Sequence, residues 1–234
     1  MFPIRDTVVH RHAPVMTSLL IGATLLAFAF ELSLSGRELE TLVERCGLIP
    51  ARYTHPEYAR RVGLDPRDAW PFLTSIFLHA GWLHVFGNLW TLWIFGDNVE
   101  DRMGPSRFLF FYLLCGVLAG LVHRASAPDS VAPAIGASGA IAGVMGAYLV
   151  LYPRARVITL VPILFWPVFV ELPAVFFLGV WFLIQFFSGS LAIAGAPGES
   201  GIAWWAHVGG FLAGIVLLGP FLRGRRAERP APPP

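Results

Sequence analysis

Four polar side chains stand out in a chain that is otherwise built for an apolar solvent. They are Ser138, His207, His84 and Asn88. A serine is a poor nucleophile until a positioned base takes its proton, and a histidine is the usual base. Acyl transfer also needs donors for the oxyanion that develops on the attacked carbonyl. The His84 ring and the Asn88 amide can both donate, and they lie at i and i+4, on one helix face. A third donor is the backbone N–H of Ser138, which opens a helix and has no intrahelical acceptor there. Each residue alone has an ordinary reading. An intramembrane serine usually bonds back to its own helix or packs, a histidine can serve a proton relay or a core hydrogen bond, and His84 with Asn88 can tie one helix to another. The signal is the set.

The elements that position this set follow from hydropathy. A bilayer core of about 30 Å needs roughly 20 apolar residues per helix. Runs of suitable character cover about 15–34, 83–95 (extended by the polar FGDNVEDRMG), 108–122, 135–152, 171–187 and 203–222. The stretch from Val157 to Phe187 is too long for one span and is broken by Pro162, Pro167 and Pro173, so its start reads as an interfacial loop. Glu171 is then expected in the first turn of the fifth span, where the helix dipole favours it. Six spans put both termini on one side. If that side is the cytoplasm, ten arginines lie inside (5, 11, 102, 107, 154, 156, 223, 225, 226 and 229) and seven outside, six of them in the first loop. Arginine-poor outer segments elsewhere favour N-in, C-in. Spans two, four and six then all start from the outer face, so His84, Asn88, Ser138 and His207 share one shallow depth. Gly139 and Gly143 form a GxxxG pair with Gly146 one turn on, and Gly210 and Gly214 follow His207 on one face, so the two helices can approach closely.

Composition agrees with this picture. Of 234 residues, 56% are hydrophobic and 14% charged, and mean hydropathy is +0.63, against about 25% charged residues in soluble domains. A net charge of +2 gives no reason to expect nucleic acid. All the basic residues are arginine, for which we have no functional reading. Cys46 and Cys115 match no disulfide framework or zinc spacing. The opening residues MFPIRDTVVHRHAPV lack the short apolar core of a cleaved signal peptide. The chain divides into a cytoplasmic N-terminal segment (1–13), a membrane domain (14–222) and a basic, Pro-rich cytoplasmic tail (223–234).

GASGA around Ser138, AHVGGFLAG around His207 and HVFGN with His84 and Asn88 resemble, in the right order, the signatures of the rhomboid proteases. The resemblance runs from about Pro14 to Leu222. It implies an all-α polytopic membrane protein, a six-transmembrane-helix rhomboid bundle, and an intramembrane serine endopeptidase. By it Ser138 is the nucleophile, His207 the general base, and His84 and Asn88 the oxyanion donors. It implies no cofactor and no metal, substrates that are single-span membrane proteins within the lipid bilayer, and cleavage near the outer leaflet. A multi-pass protein of a bacterial cytoplasmic (inner) membrane is expected. Trp70 and His79 match structural positions of the first loop, and Glu100 with Arg102 resembles a polar pair at the cytoplasmic end of span two. Two departures stand out: Pro71 where many members have Arg after Trp, and Ala142 where some members stack a Tyr on the catalytic histidine. Trp204 or Trp205 is the candidate replacement.

No third triad member is evident. The outer half of the spans holds no carboxylate except Glu31, which reads as interfacial, so a Ser–His dyad is the simpler reading. A non-cutting rhomboid-like binder of membrane clients would typically lack the serine or histidine. A proton-relay transporter would show repeated halves with paired broken helices. A soluble α/β-hydrolase would need glycine at position 140, which is alanine, and a strand before the serine.

Overall fold

The computed structural model describes residues 2–163, 166–194 and 203–222. The proposed tail, 223–234, lies outside the described residues. In chain order the elements are β1 (Phe2–Asp6), α1 (Val15–Ser33), four short helices α2 (Gly36–Cys46), α3 (Pro50–Thr54), α4 (Pro56–Arg61) and α5 (Pro71–Thr74), then α6 (Trp82–Met103), α7 (Pro105–Ser126), α8 (Ser138–Leu151), β2 (Arg156–Ile163), β3 (Trp166–Pro173), α9 (Ala174–Ala194) and α10 (Trp204–Leu222). The six expected apolar runs each correspond to one of the helices α1, α6, α7, α8, α9 and α10, with ends shifted by a few residues. Among the described residues, four helices are long and apolar enough to cross a membrane: Val15–Ser33, Pro105–Ser126, Ala174–Ala192 and Trp204–Leu222. The other two differ for physical reasons. Helix α8 is apolar but short, and most of its residues are buried among its neighbours. Helix α6 ends in the polar sequence DNVEDRM, much of it buried.

Helix α8 is the axis of the bundle, packed against α6, α7 and α10. Its fully buried residues include Ala142, Val144 and Tyr148. Glycine makes the packing possible. A methyl group added to Gly139 would lie 2.7 Å from the Cβ of Ala119 on α7, and one on Gly143 would lie 2.6 Å from Cys115 Sγ. On the other face, a methyl on Gly210 would run into the carbonyl oxygen of Gly139, and one on Gly214 into that of Gly143. Backbone therefore lies directly on backbone, and the obstacle is a carbonyl that cannot rotate away. Between helices lipid offers no hydrophobic driving force, so association rests on close packing of this kind.

The mostly helical architecture carries an element that the all-α expectation did not include. β1, β2 and β3 form an antiparallel sheet in that order. Phe2 pairs with Leu160, and β2 pairs with β3 from Arg156–Pro173 to Ile163–Trp166. The segment read as an interfacial loop is thus a hairpin, because prolines exclude a helix while Val, Ile, Phe and Trp favour a pleated strand. Glu171 sits in β3 opposite Ile158 and not in a helical turn. β1 lies along α6: Trp90 Nε1 donates to the Pro3 carbonyl (2.7 Å), Asn98 Nδ2 donates to Asp6 (3.0 Å), and the Tyr148 hydroxyl donates to the same carboxylate.

Glu100 has a role at the start of the bundle. Its carboxylate accepts the Met16 and Thr17 N–H groups (2.8 and 2.7 Å) and the Thr17 hydroxyl (2.8 Å). These amides open α1, whose N-terminus lacks a side-chain cap of its own, so a residue from another helix satisfies the orphan donors.

The α8–α10 contact gives a direct test. Gly214→Ala and Gly210→Ala should each destabilise the protein by about 1–3 kcal/mol or more, the usual range for overpacking a filled site. Gly179→Ala, on α9 where nothing lies within 4 Å of the added carbon, should be neutral or slightly stabilising. Thermal unfolding in detergent compares the three, and equal melting temperatures would refute the backbone contact.

Candidate active site

Ser138 begins α8 and His207 lies in the first turn of α10. The glycine contact between those helices brings the two side chains to hydrogen-bond distance, with His207 Nε2 2.8 Å from Ser138 Oγ. Both residues are half-buried. As the first residue of its helix, Ser138 has a backbone N–H with no intrahelical acceptor.

The approach to Ser138 is fixed by Gly136, whose N–H donates to the Ser75 carbonyl (2.8 Å). Gly136 has a φ of 126°, which side chains rarely adopt. A Cβ there would also lie 2.7 Å from His84 Nε2 and 3.6 Å from Asn88 Nδ2. The two expected donors on α6 therefore face the backbone two residues before Ser138, separated from it only by a glycine hydrogen. His84 Nδ1 takes the Ala80 N–H at 3.4 Å. A backbone amide only donates, so the ring proton belongs on Nε2, the atom turned toward Gly136.

His79 does more than hold the first loop. Its Nδ1 meets the Phe77 carbonyl (3.2 Å), so Nδ1 carries the proton and Nε2 accepts. Nε2 takes the Asn88 amide at 2.9 Å and the Ala137 N–H at 3.4 Å. One Asn88 N–H is used in fixing the side chain, and the second remains for another acceptor. His79 is itself anchored by Glu31, which was read as interfacial from the sequence but is buried. The Glu31 carboxylate accepts the His79 N–H, 3.1 Å from each oxygen.

The surroundings of His207 contain a residue that the sequence reading passed over. Gln185, on α9 and buried, places Oε1 2.7 Å from His207 Nδ1. One turn earlier on the same helix, the Trp181 ring lies 6.0 Å from the imidazole at 39°. Of the two rings expected beside His207, Trp204 stands edge-on at 6.4 Å, while Trp205 donates to the Gly189 carbonyl (3.1 Å). Ala142 is fully buried and offers no ring. Gln185 was detectable by the rule that selected the other four, since it is a polar side chain inside an apolar span. Because α9 runs opposite to α10, a late position in it meets an early position in α10. Among the described residues no group of three or more His, Cys, Asp or Glu could hold a metal ion.

Comparison with known proteins agrees with the motifs. The rhomboid domain family matches residues 66–224. The chain is 41% identical over 80 residues to the rhomboid protease GluP of Bacillus subtilis, covering 34% of this chain and 15% of that protein. It is 34% identical over 101 residues to the mouse mitochondrial presenilin-associated rhomboid-like protein, covering 42% and 26%. It is 28% identical over 189 residues to the zebrafish mitochondrial presenilin-associated rhomboid-like protein A, covering 77% and 45%. The chain spans less than half the length of each of these relatives. They come from a bacterium and from animal mitochondria, so kinship does not favour the bacterial inner membrane expected from the sequence. A family match across two thirds of the chain, carried on apolar helices, identifies an integral membrane protein that belongs to the rhomboid family.

Proposed function

We propose that this protein is an intramembrane serine endopeptidase whose nucleophile is Ser138 and whose general base is His207. The observation that carries the reading is the 2.8 Å hydrogen bond between His207 Nε2 and Ser138 Oγ, made across two helices. Ser138 Oγ attacks the scissile carbonyl carbon while its proton passes to His207 Nε2. The carbonyl oxygen becomes an oxyanion, stabilised by the Ser138 N–H, the His84 Nε2–H and the free Asn88 N–H. Collapse breaks the C–N bond, and His207 returns its proton to the leaving amine. Water, deprotonated by the same imidazole, then attacks the acyl-enzyme and releases Ser138. The residues hold and move protons with no cofactor.

Substrates in this reading are single-span membrane proteins. The family and the hydropathy of the helices support six crossings with both termini in the cytoplasm, and a membrane domain over 14–222 between the 1–13 segment and the 223–234 tail. With that orientation the dyad lies in the outer leaflet, and a substrate helix has to unwind there before water reaches its backbone, against a cost of several kcal/mol for each unsatisfied group in lipid.

Three measurements test the proposal. Ser138→Ala and His207→Ala should each abolish cleavage of a transmembrane substrate by protein purified in detergent, and the double variant should be no worse than either. A fluorophosphonate should label wild type and not Ser138→Ala; cleavage at the wild-type rate in Ser138→Ala would end the proposal.

Asn88→Ala should lower kcat by about 10²–10³ if the amide donates to the oxyanion. If Asn88 only joins helices, melting temperature and activity should fall together. Measuring both on one preparation separates the roles, and full activity removes Asn88 from the mechanism.

Topology is the third. In a chain lacking Cys46, an impermeant thiol reagent should label Arg61→Cys from outside intact cells, while a reporter after Pro234 should be cytoplasmic. Labelling from the other side would invert the site's leaflet.

A further inference from the structure

A serine–histidine pair works in one tautomer only. His207 Nε2 takes a proton from Ser138 if the ring's own proton is on Nδ1; with that proton on Nε2, the ring donates to Oγ and is no base. Three-member serine sites fix this with a carboxylate on the far nitrogen. Neither α8, α9 nor α10 contains an aspartate or glutamate.

We propose that Gln185 is the positioning residue of this site, its amide oxygen holding His207 in the Nδ1–H tautomer from α9. The inference rests on the Ser138–His207 reading above and deepens it. Oε1 is 2.7 Å from Nδ1, and the residue is 6% exposed. A buried amide is costly in an apolar span unless bonded, and His207 supplies that bond. Oxygen only accepts, so this contact puts the proton on Nδ1 and leaves the Nε2 lone pair toward Ser138. A carboxylate would do the same with a charge that the apolar wall of α9 would have to accommodate. The amide fixes the tautomer without that charge.

The same helix supplies the ring that α8 lacks. Trp181 and Gln185 are four residues apart on one face of α9, and Trp181 lies over His207 at a tilt of 39° where Ala142 offers nothing to stack. Both restraints on the base thus come from α9, and both are lost together if α9 shifts. The orientation of the amide is decisive. Turned over, its NH₂ would donate to Nδ1, drive the proton to Nε2 and leave Ser138 without a base.

The test uses the full chain in detergent with ¹⁵N-labelled histidine, the His207 signals being assigned by their loss in His207→Ala. Wild type should show Nδ1 protonated and Nε2 bare. Gln185→Leu should give a mixture of tautomers and lower kcat roughly 10- to 100-fold, the usual effect of removing a partner that orients a functional imidazole, with KM for a transmembrane substrate unchanged. Gln185→Glu, which keeps the acceptor, should recover most of the rate. Wild-type His207 protonated on Nε2 would overturn the proposal, needing no variant to fold. So would Gln185→Leu with unchanged kcat, or Gln185→Glu as slow as Gln185→Leu. If Ser138→Ala instead cuts like wild type, the nucleophile assignment fails, and the tautomer of His207 still decides whether Gln185 positions it.

Discussion

Everything at the site depends on how closely α8 and α10 approach. Side chains as short as serine and as rigid as histidine bridge two helices only if the backbones nearly touch. Here the carbonyls of Gly139 and Gly143 lie where methyl groups on Gly210 and Gly214 would have to go. The same glycines that remove bulk between the helices set Ser138 and His207 one turn or less above the contact. Placement of Ser138 against His207 and cohesion of the bundle are therefore one property. Any change that widens the seam separates Oγ from Nε2 by the same amount.

Around that contact, the polar groups form a continuous chain of obligations. Glu31 holds the backbone of His79, His79 holds the Asn88 amide and the Ala137 N–H, and Ala137 precedes Ser138. In an apolar surround an unpaired polar group is expensive, so each partner narrows the choices of the next. Proton positions on His79 and His84 follow from backbone neighbours that can only accept or only donate. The first loop participates through Ser75, which takes the Gly136 N–H. Its own shape is held by Arg52, bonded to Asp68 Oδ2 and to the Asp65 and Arg45 carbonyls. The loop is thus a structural wall of the site, with Arg52 supplying its hydrogen bonds.

Much of this was legible in the sequence, for identifiable reasons. Ser138, His207, His84 and Asn88 were visible because a span tolerates few polar residues, and alternate spans share a direction. The glycine seam was visible because its spacing repeats the helical period. Gln185 was missed since it sits on a helix of opposite direction and matches no motif. Glu31 was misread because hydropathy locates a residue along the membrane normal but not toward or away from a neighbouring helix. The sheet could not be read either. Pro162, Pro167 and Pro173 announced an interruption, but pairing between β1 and β2 joins distant stretches of chain that no local pattern connects.

That sheet has a consequence for the order in which the molecule is made. Phe2–Asp6 is made well before its partner strand, Arg156–Ile163, which follows α1, α6, α7 and α8 in the chain. Through most of synthesis the first strand has nothing to pair with. Closing so long a loop adds only a logarithmic entropy cost, but it makes the contact a late and slow one. When Tyr148 and Asn98 finally bind Asp6, the amino terminus is sealed against helices from the middle of the chain. Residues 2–6 are thus made early and folded late, and their docking marks a nascent chain whose central helix is already in place.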